Sequence, residues 1–182
     1  MAVGRALMTA EDLFNLPEDD MFHELVKGEL ITLPPPGAKH GFVAGQAFFL
    51  IRTHVDAHEL GSVFAAETGF KIGRNPDTVR APDVAFVAAE RLPTELPDGY
   101  MDLAPDLVVE VVSPSDSARY VQEKVFDWLE AGARVVLVVY PSRQSIAAYR
   151  SRTDVRLLGP GDALDLNDVL PGFASPVRSL FS

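Results

Sequence analysis

An α/β fold built on a mixed sheet flanked by helices is predicted by three features of the sequence. Two short apolar runs, one over 107–112 (LVVEVV) and one over 134–140 (RVVLVVY), read as strands buried on both faces, as the central strands of helix-covered sheets are. Stretches with helical periodicity over 40–59 and 117–131 supply the covering helices. Two further segments, 22–26 and 29–33, flank Lys27-Gly28 and predict an N-terminal β-hairpin with a two-residue turn.

A chain of 182 residues fits one domain with a sizeable core, here the hairpin at 22–33, a core over about 38–150 and a C-terminal extension over 151–182. No apolar run reaches the length of a membrane span and MAVGRALMTAEDL lacks the apolar centre of a leader, so a cytoplasmic location with no membrane partner is expected. With no cysteine, thiolate chemistry and cysteine-ligated zinc are excluded. A metal would be held by Asp, Glu, His or carbonyl oxygen, which favours Mg²⁺ or Mn²⁺. The net charge of −10 argues against a general nucleic-acid binder while leaving room for a local basic track.

Thr9 followed by Asp12 predicts a capped helix start, limited to a turn or two by Pro17. In the hairpin, the turn pairs Val26 with Glu29 and Glu24 with Ile31, which places both glutamates on one face. Glutamate is mostly exposed, so solvation is the favoured reading for the two. The break Pro34-Pro35-Pro36-Gly37 precedes the long helix, which His40 opens at a place where a polar side chain can face a neighbouring site. His54 and His58 have the spacing of a metal pair. Val55 stands where a zinc-protease motif needs Glu, so an edge position on the helical stripe is favoured.

Strands are expected over 62–72 and 78–87, joined by the turn Gly73-Arg74-Asn75-Pro76-Asp77. Lys71, Arg74 and Arg80 bracket that turn, either as a phosphate-contacting tip or as a charged hairpin end. Pro82-Asp83 puts an acid where the sheet meets a cleft. Residues 90–104 read as loop. Ser113, Ser115 and Ser117 are helix-capping residues, with no nucleophile elbow around them, and Gly132 closes the helix that follows. An outer strand over 145–150 follows, and Leu170, Phe173, Leu180 and Phe181 are expected to pin the C-terminal piece to the core.

Glu110 is the anomaly. An ionised carboxylate in a strand buried on both faces costs several kcal/mol unless a cation, a metal or hydrogen-bond donors meet it. Strand alternation puts Glu110 on the face of Val108 and Val112, so the position a strand lysine would take is occupied by Val112. The nearest alternative is Lys124, at the edge of the helical stripe Val121, Val125, Trp128 and Leu129, from which it can reach the sheet or extend to water.

The segments HELVKGEL (23–30), PPPGAKH (34–40), RAPDVAFV (80–87), APDLVVEVVSPSD (104–116) and EKVFDWLEAGARVVLVVYP (123–141) together resemble the Uma2 family, formerly a domain of unknown function, in the PD-(D/E)XK restriction-endonuclease-like superfamily. The resemblance implies a restriction-endonuclease-like mixed sheet and a metal-dependent endonuclease hydrolysing DNA phosphodiester bonds. By it, Asp83, Glu110 and Lys124 are catalytic, the lysine being displaced from strand to helix. Asp83, Glu110 and the Val111 carbonyl would hold Mg²⁺ or Mn²⁺, with Glu29 and His40 in support. DNA is then the expected substrate. A homodimer is expected on the ground that many enzymes acting on duplex DNA pair their sites. The alternative is a catalytically silent nuclease-fold binding or regulatory module, which the negative charge favours.

Overall fold

The structure, a computed structural model, describes residues 7–182; residues 1–6, where the sequence lacks the apolar centre of a leader, lie outside the described residues. Thr9 caps α1 (Ala10–Phe14) with the expected capping box, the Asp12 N–H donating to Thr9 Oγ1 and the Thr9 N–H to Asp12 Oδ2. β1 (Phe22–Val26) and β2 (Glu29–Leu33) pair in the expected register, Val26 opposite Glu29 and Glu24 opposite Ile31. Lys27 and Gly28 have φ of 50° and 79°, the left-handed backbone that joins two right-twisted strands in two residues.

α2 (Ala38–Ala57) starts after the proline break and buries Val43, Ala47, Ile51 and Val55 along one stripe. From there the chain departs from expectation twice. The segment expected as one strand over 62–72 divides into β3 (Gly61–Ala65) and β4 (Phe70–Gly73), and the segment over 78–87 divides into β5 (Thr78–Arg80) and β6 (Val84–Ala88). Each break carries the chain between two sheets. At the first, Glu67 adopts a positive φ of 72°, which no strand accommodates. At the second, Pro82 has no N–H to give a ladder, and the Asp83 N–H donates to the Val109 carbonyl instead.

β7 (Leu107–Val111) is followed by α3 (Ala118–Ala131) and β8 (Val135–Tyr140), a right-sized crossover for two parallel strands. The Ser117 hydroxyl accepts from the Tyr120 N–H at the start of α3, and Gly132 ends it at φ 108°. β9 (Ser145–Tyr149), β10 (Val155–Leu158), β11 (Ala163–Asp165) and β12 (Ala174–Pro176) complete the chain, the last three in a region the sequence shows only as short pieces.

The larger sheet has the order β10-β9-β8-β7-β6-β3, with β7 and β8 parallel and the remaining neighbours antiparallel. The smaller sheet, β2-β1-β5-β4, is antiparallel throughout. α2 and the C-terminal segment, through Leu166, Leu170, Phe173 and Leu180, cover one face of the larger sheet. α3 covers the other, with Val125 and Trp128 against Val108, Val136 and Val138. Each such valine or leucine withdrawn from water contributes ~2 kcal/mol, so this two-sided core fixes the strand ends on which the polar site is built.

Candidate active site

The polar site lies where the two sheets meet. Asp83 sits in the crossover from β5 to β6, next to Val84, which pairs with Val109 on β7. Its Oδ2 accepts a 2.6 Å hydrogen bond from the Val111 N–H, so the side chain is braced by the strand that carries Glu110. Glu110 points from β7 to the α3 face, as the alternation with Val108 requires, and is 8% exposed.

Two side chains of α3 meet Glu110. Lys124 Nζ donates to Oε2 at 2.8 Å, and Trp128 Nε1 donates to Oε1 at 2.7 Å. The spacing of four residues puts lysine and tryptophan on one helix face, one turn apart, opposite the two carboxylate oxygens. The Lys124 ammonium also lies 3.1 Å from Glu24 Oε1 and donates to the Ala81 carbonyl at 3.1 Å. Its three protons therefore have three partners.

Glu24, expected to be solvated with Glu29, is instead buried, because Arg80 and Lys124 supply the cations that offset its desolvation. It is 2% exposed and accepts from Arg80 Nη1 at 2.8 Å, from the Ala81 N–H at 2.9 Å and from the Tyr120 hydroxyl at 3.1 Å. Arg80, itself 2% exposed, spans from Glu24 to Asp127 on α3, with Nη2 at 2.6 Å and Nε at 3.1 Å from Asp127 Oδ2. Glu29 shares the hairpin face with Glu24 but is exposed and stands outside the cleft. The reason is strand order: β1 lies beside β5, which brings Arg80 and Ala81 to Glu24, whereas β2 is an edge strand and Glu29 sits at its turn end. The signal available in the sequence was the pairing register together with Arg80, whose role depended on how β5 joins the hairpin.

His40, in the first turn of α2, brings Nε2 to 3.3 Å from Asp83 Oδ2, while its Nδ1 is buried without a hydrogen-bond partner. Burial opposes protonation of His40, but the hydrogen bond and charge of Asp83 outweigh it and raise the pKa above 6.5. Burial pushes the Glu110 carboxyl up to about 7 against the pull of the Lys124 ammonium. Burial likewise opposes the charge on Lys124, yet Glu110 and Glu24 reverse that and raise its pKa, so the lysine is a held cation. For Glu24 the cost of burial is outweighed by Lys124 and Arg80, and its pKa falls below 4.5.

The site opens into a cleft of about 970 Å³ between the hairpin, the start of α2, the end of β7 and the start of α3. Other sequence candidates have structural partners. Lys71 pairs with Asp77, Arg74 with Asp102, and Arg80 is the buried arginine above. His54 and His58 stack at 4.2 Å between ring centroids, with His54 Nε2 2.9 Å from the Pro171 carbonyl and His58 Nδ1 2.9 Å from the His54 carbonyl. Among the described residues no group of three or more His, Asp or Glu side chains is gathered as a ready-made metal cage.

A mixed sheet with an acid entering one strand, a second acid within its neighbour and a lysine packed on the latter defines the restriction-endonuclease-like class of folds. The chain belongs to the Uma2 family, described as "Putative restriction endonuclease", whose model matches residues 10–178. Among solved structures it is similar to a "putative nuclease belonging to DUF820" from Anabaena variabilis ATCC 29413. That match has a TM-score of 0.82 at 22% identity and covers 96% of this chain and 97% of the other. At that identity the likeness establishes the fold. No curated protein matches the chain. No helix among the described residues is long and apolar enough to cross a membrane.

Proposed function

We propose that the chain is a metal-dependent endonuclease that hydrolyses DNA phosphodiester bonds at Asp83, Glu110 and Lys124. The observation that carries this reading is Lys124 Nζ at 2.8 Å from Glu110, supplying from a helix the cation that Val112 leaves missing from the strand. The donor chemistry fits a hard divalent ion. The carboxylates of Asp83 and Glu110 and the Val111 carbonyl offer oxygen only, and Glu24, Asp83, Glu110 and Asp127 outnumber the fixed cations Arg80 and Lys124. Held by Asp83, Glu110 and the Val111 carbonyl, Mg²⁺ or Mn²⁺ would polarise the phosphate and lower the pKa of bound water.

The protein's own groups divide the remaining work. Lys124, held as a cation by Glu24 and Glu110, would exchange its 3.1 Å contact to the Ala81 carbonyl for one to the attacking water or to the phosphate oxygens on which charge develops. Water oxygen bonds to phosphorus, the phosphorus bond to the leaving oxygen breaks, and the proton lost by the water is balanced by one gained at that oxygen. Trp128 keeps Glu110 from turning away, the Val111 N–H does the same for Asp83, and His40 lies against Asp83 at the cleft edge. Glu29 stays outside this set. A homodimer is the assembly proposed for the chain; sedimentation of the purified protein measures it.

Purified protein is expected to nick supercoiled plasmid in Mg²⁺ or Mn²⁺, and Glu110→Gln to abolish the nicking. Failure to cut duplex, single-stranded and branched substrates with either ion would sink the reading. A second reading, a nuclease-fold binding module without turnover, is favoured by one observation: the three protons of Lys124 and both oxygens of Glu110 are already taken up within the protein. It predicts a stable nucleic-acid or protein complex with no metal-dependent cleavage.

A further inference from the structure

We infer that the cleft receives a short unpaired stretch of nucleic acid, such as a single strand, a flap or a frayed end, in preference to intact duplex. The inference rests on the nuclease reading and concerns which form of nucleic acid reaches Asp83 and Glu110. The first ground is size. A volume of about 970 Å³ equals a cube about 10 Å on edge, at the upper end of small-ligand pockets. One turn of B-form duplex is about 34 Å long, so an intact duplex would lie across the mouth of the cleft, whereas a few unpaired nucleotides can enter it.

The second ground is charge. Duplex-binding proteins commonly neutralise about six to ten phosphates, which requires as many cationic contacts. Among the described residues Lys124 is the one lysine or arginine lining this cleft, with His40 beside it, against Glu24, Glu67, Asp83, Glu110 and Asp116. Cations near the crossover turn do not compensate, because Lys71 and Arg74 are already in ion pairs with Asp77 and Asp102. A long phosphate track along this wall would be repelled, whereas one or two phosphates beside an acid-held divalent ion would not.

The third ground is the walls. The half-buried rings of Phe22, Phe48 and Tyr100 line the cleft together with the proline run 34–36. Tyr100 is held in place, its ring edge-on to Phe14 at 5.6 Å and so close over Gly69 that a Cβ there would come within 2.3 Å of it. Fixed aromatic faces bind unpaired bases by stacking, which tolerates any sequence and is unavailable to a base inside a duplex.

The test is fluorescence anisotropy of the wild-type chain with Ca²⁺ as the divalent ion, using a labelled 12-nucleotide oligothymidylate, a forked duplex and a blunt 20-base-pair duplex. Cleavage of the same three in Mn²⁺ is followed in parallel. Expected are at least tenfold tighter binding of the strand and fork than of the blunt duplex, and a weak salt dependence matching one or two phosphates. Tyr100→Leu and Phe48→Leu, each checked for an unchanged melting temperature, should weaken strand binding at least fivefold; if one variant is destabilised, the other carries the comparison. Equal or tighter binding and cleavage of the blunt duplex overturns this inference and leaves the nuclease reading standing. No binding and no cleavage of any of the three overturns both.

Discussion

Replacing Glu24 by Gln keeps the shape of the buried hub and removes one charge. The glutamate oxygens face two cations at 2.8 Å and 3.1 Å, Arg80 and Lys124, and accept as well from the Ala81 N–H and the Tyr120 hydroxyl. Breaking a buried ion pair from one side costs about 3–5 kcal/mol. Neither cation is left alone, since Arg80 retains Asp127 and Lys124 retains Glu110, so the lower end, ~3 kcal/mol, is expected. For a chain of this size each kcal/mol moves the melting temperature by about 2–4 °C, which gives a fall of about 6–12 °C by calorimetry. Glu29→Gln, on the same hairpin face but exposed, should change stability by no more than about 0.5 kcal/mol. A Glu24→Gln protein that melts with Glu29→Gln would refute the placement of Glu24 as the hub that holds Arg80 and Lys124.

Further outcomes follow from the same contacts. Because the native pKa of Glu24 is depressed, its stabilisation is complete above 4.5 and is lost as pH falls through the lowered native value; the stability gap between wild type and Glu24→Gln in urea should therefore narrow as pH falls below 4.5. Trp128→Phe preserves most of the core volume but removes the 2.7 Å donor to Glu110, and should cost about 1.5–3 kcal/mol in urea unfolding, the range for a hydrogen bond to a charged group. Lys124→Met should lower cleavage by about 100-fold or more while leaving the far-ultraviolet circular dichroism unchanged, in line with loss of one charge-stabilising donor. An active Lys124→Met protein would remove the lysine from the mechanism.

How far the sequence reveals this molecule varies with how local the determining physics is. Hairpin register, the Thr9-Asp12 cap, the Ser117 cap and the Gly132 terminus depend on a few adjacent residues and were legible. The central strands were legible because burial on both faces leaves a continuous apolar run. The divisions of β3 from β4 and β5 from β6 were not, since each half keeps strand-like residues and only the second sheet explains the break. Glu110 announced itself by being charged in an apolar strand, and Lys124 by standing at the edge of a helical stripe. Glu24 gave no such sign, because its partner Arg80 lies 56 residues away on a strand whose pairing with β1 is a tertiary event.

Under the proposed nuclease function, Asp83 and Glu110 hold a divalent ion beside Lys124. Mn²⁺ titrated into the purified protein and followed by paramagnetic resonance reads that directly, independently of any nucleic acid. At least one Mn²⁺ per chain should bind, with binding weakened in Asp83→Asn and in Glu110→Gln and retained in Glu29→Gln. Wild-type protein that takes up no Mn²⁺, or binding untouched by the first two substitutions, would contradict it.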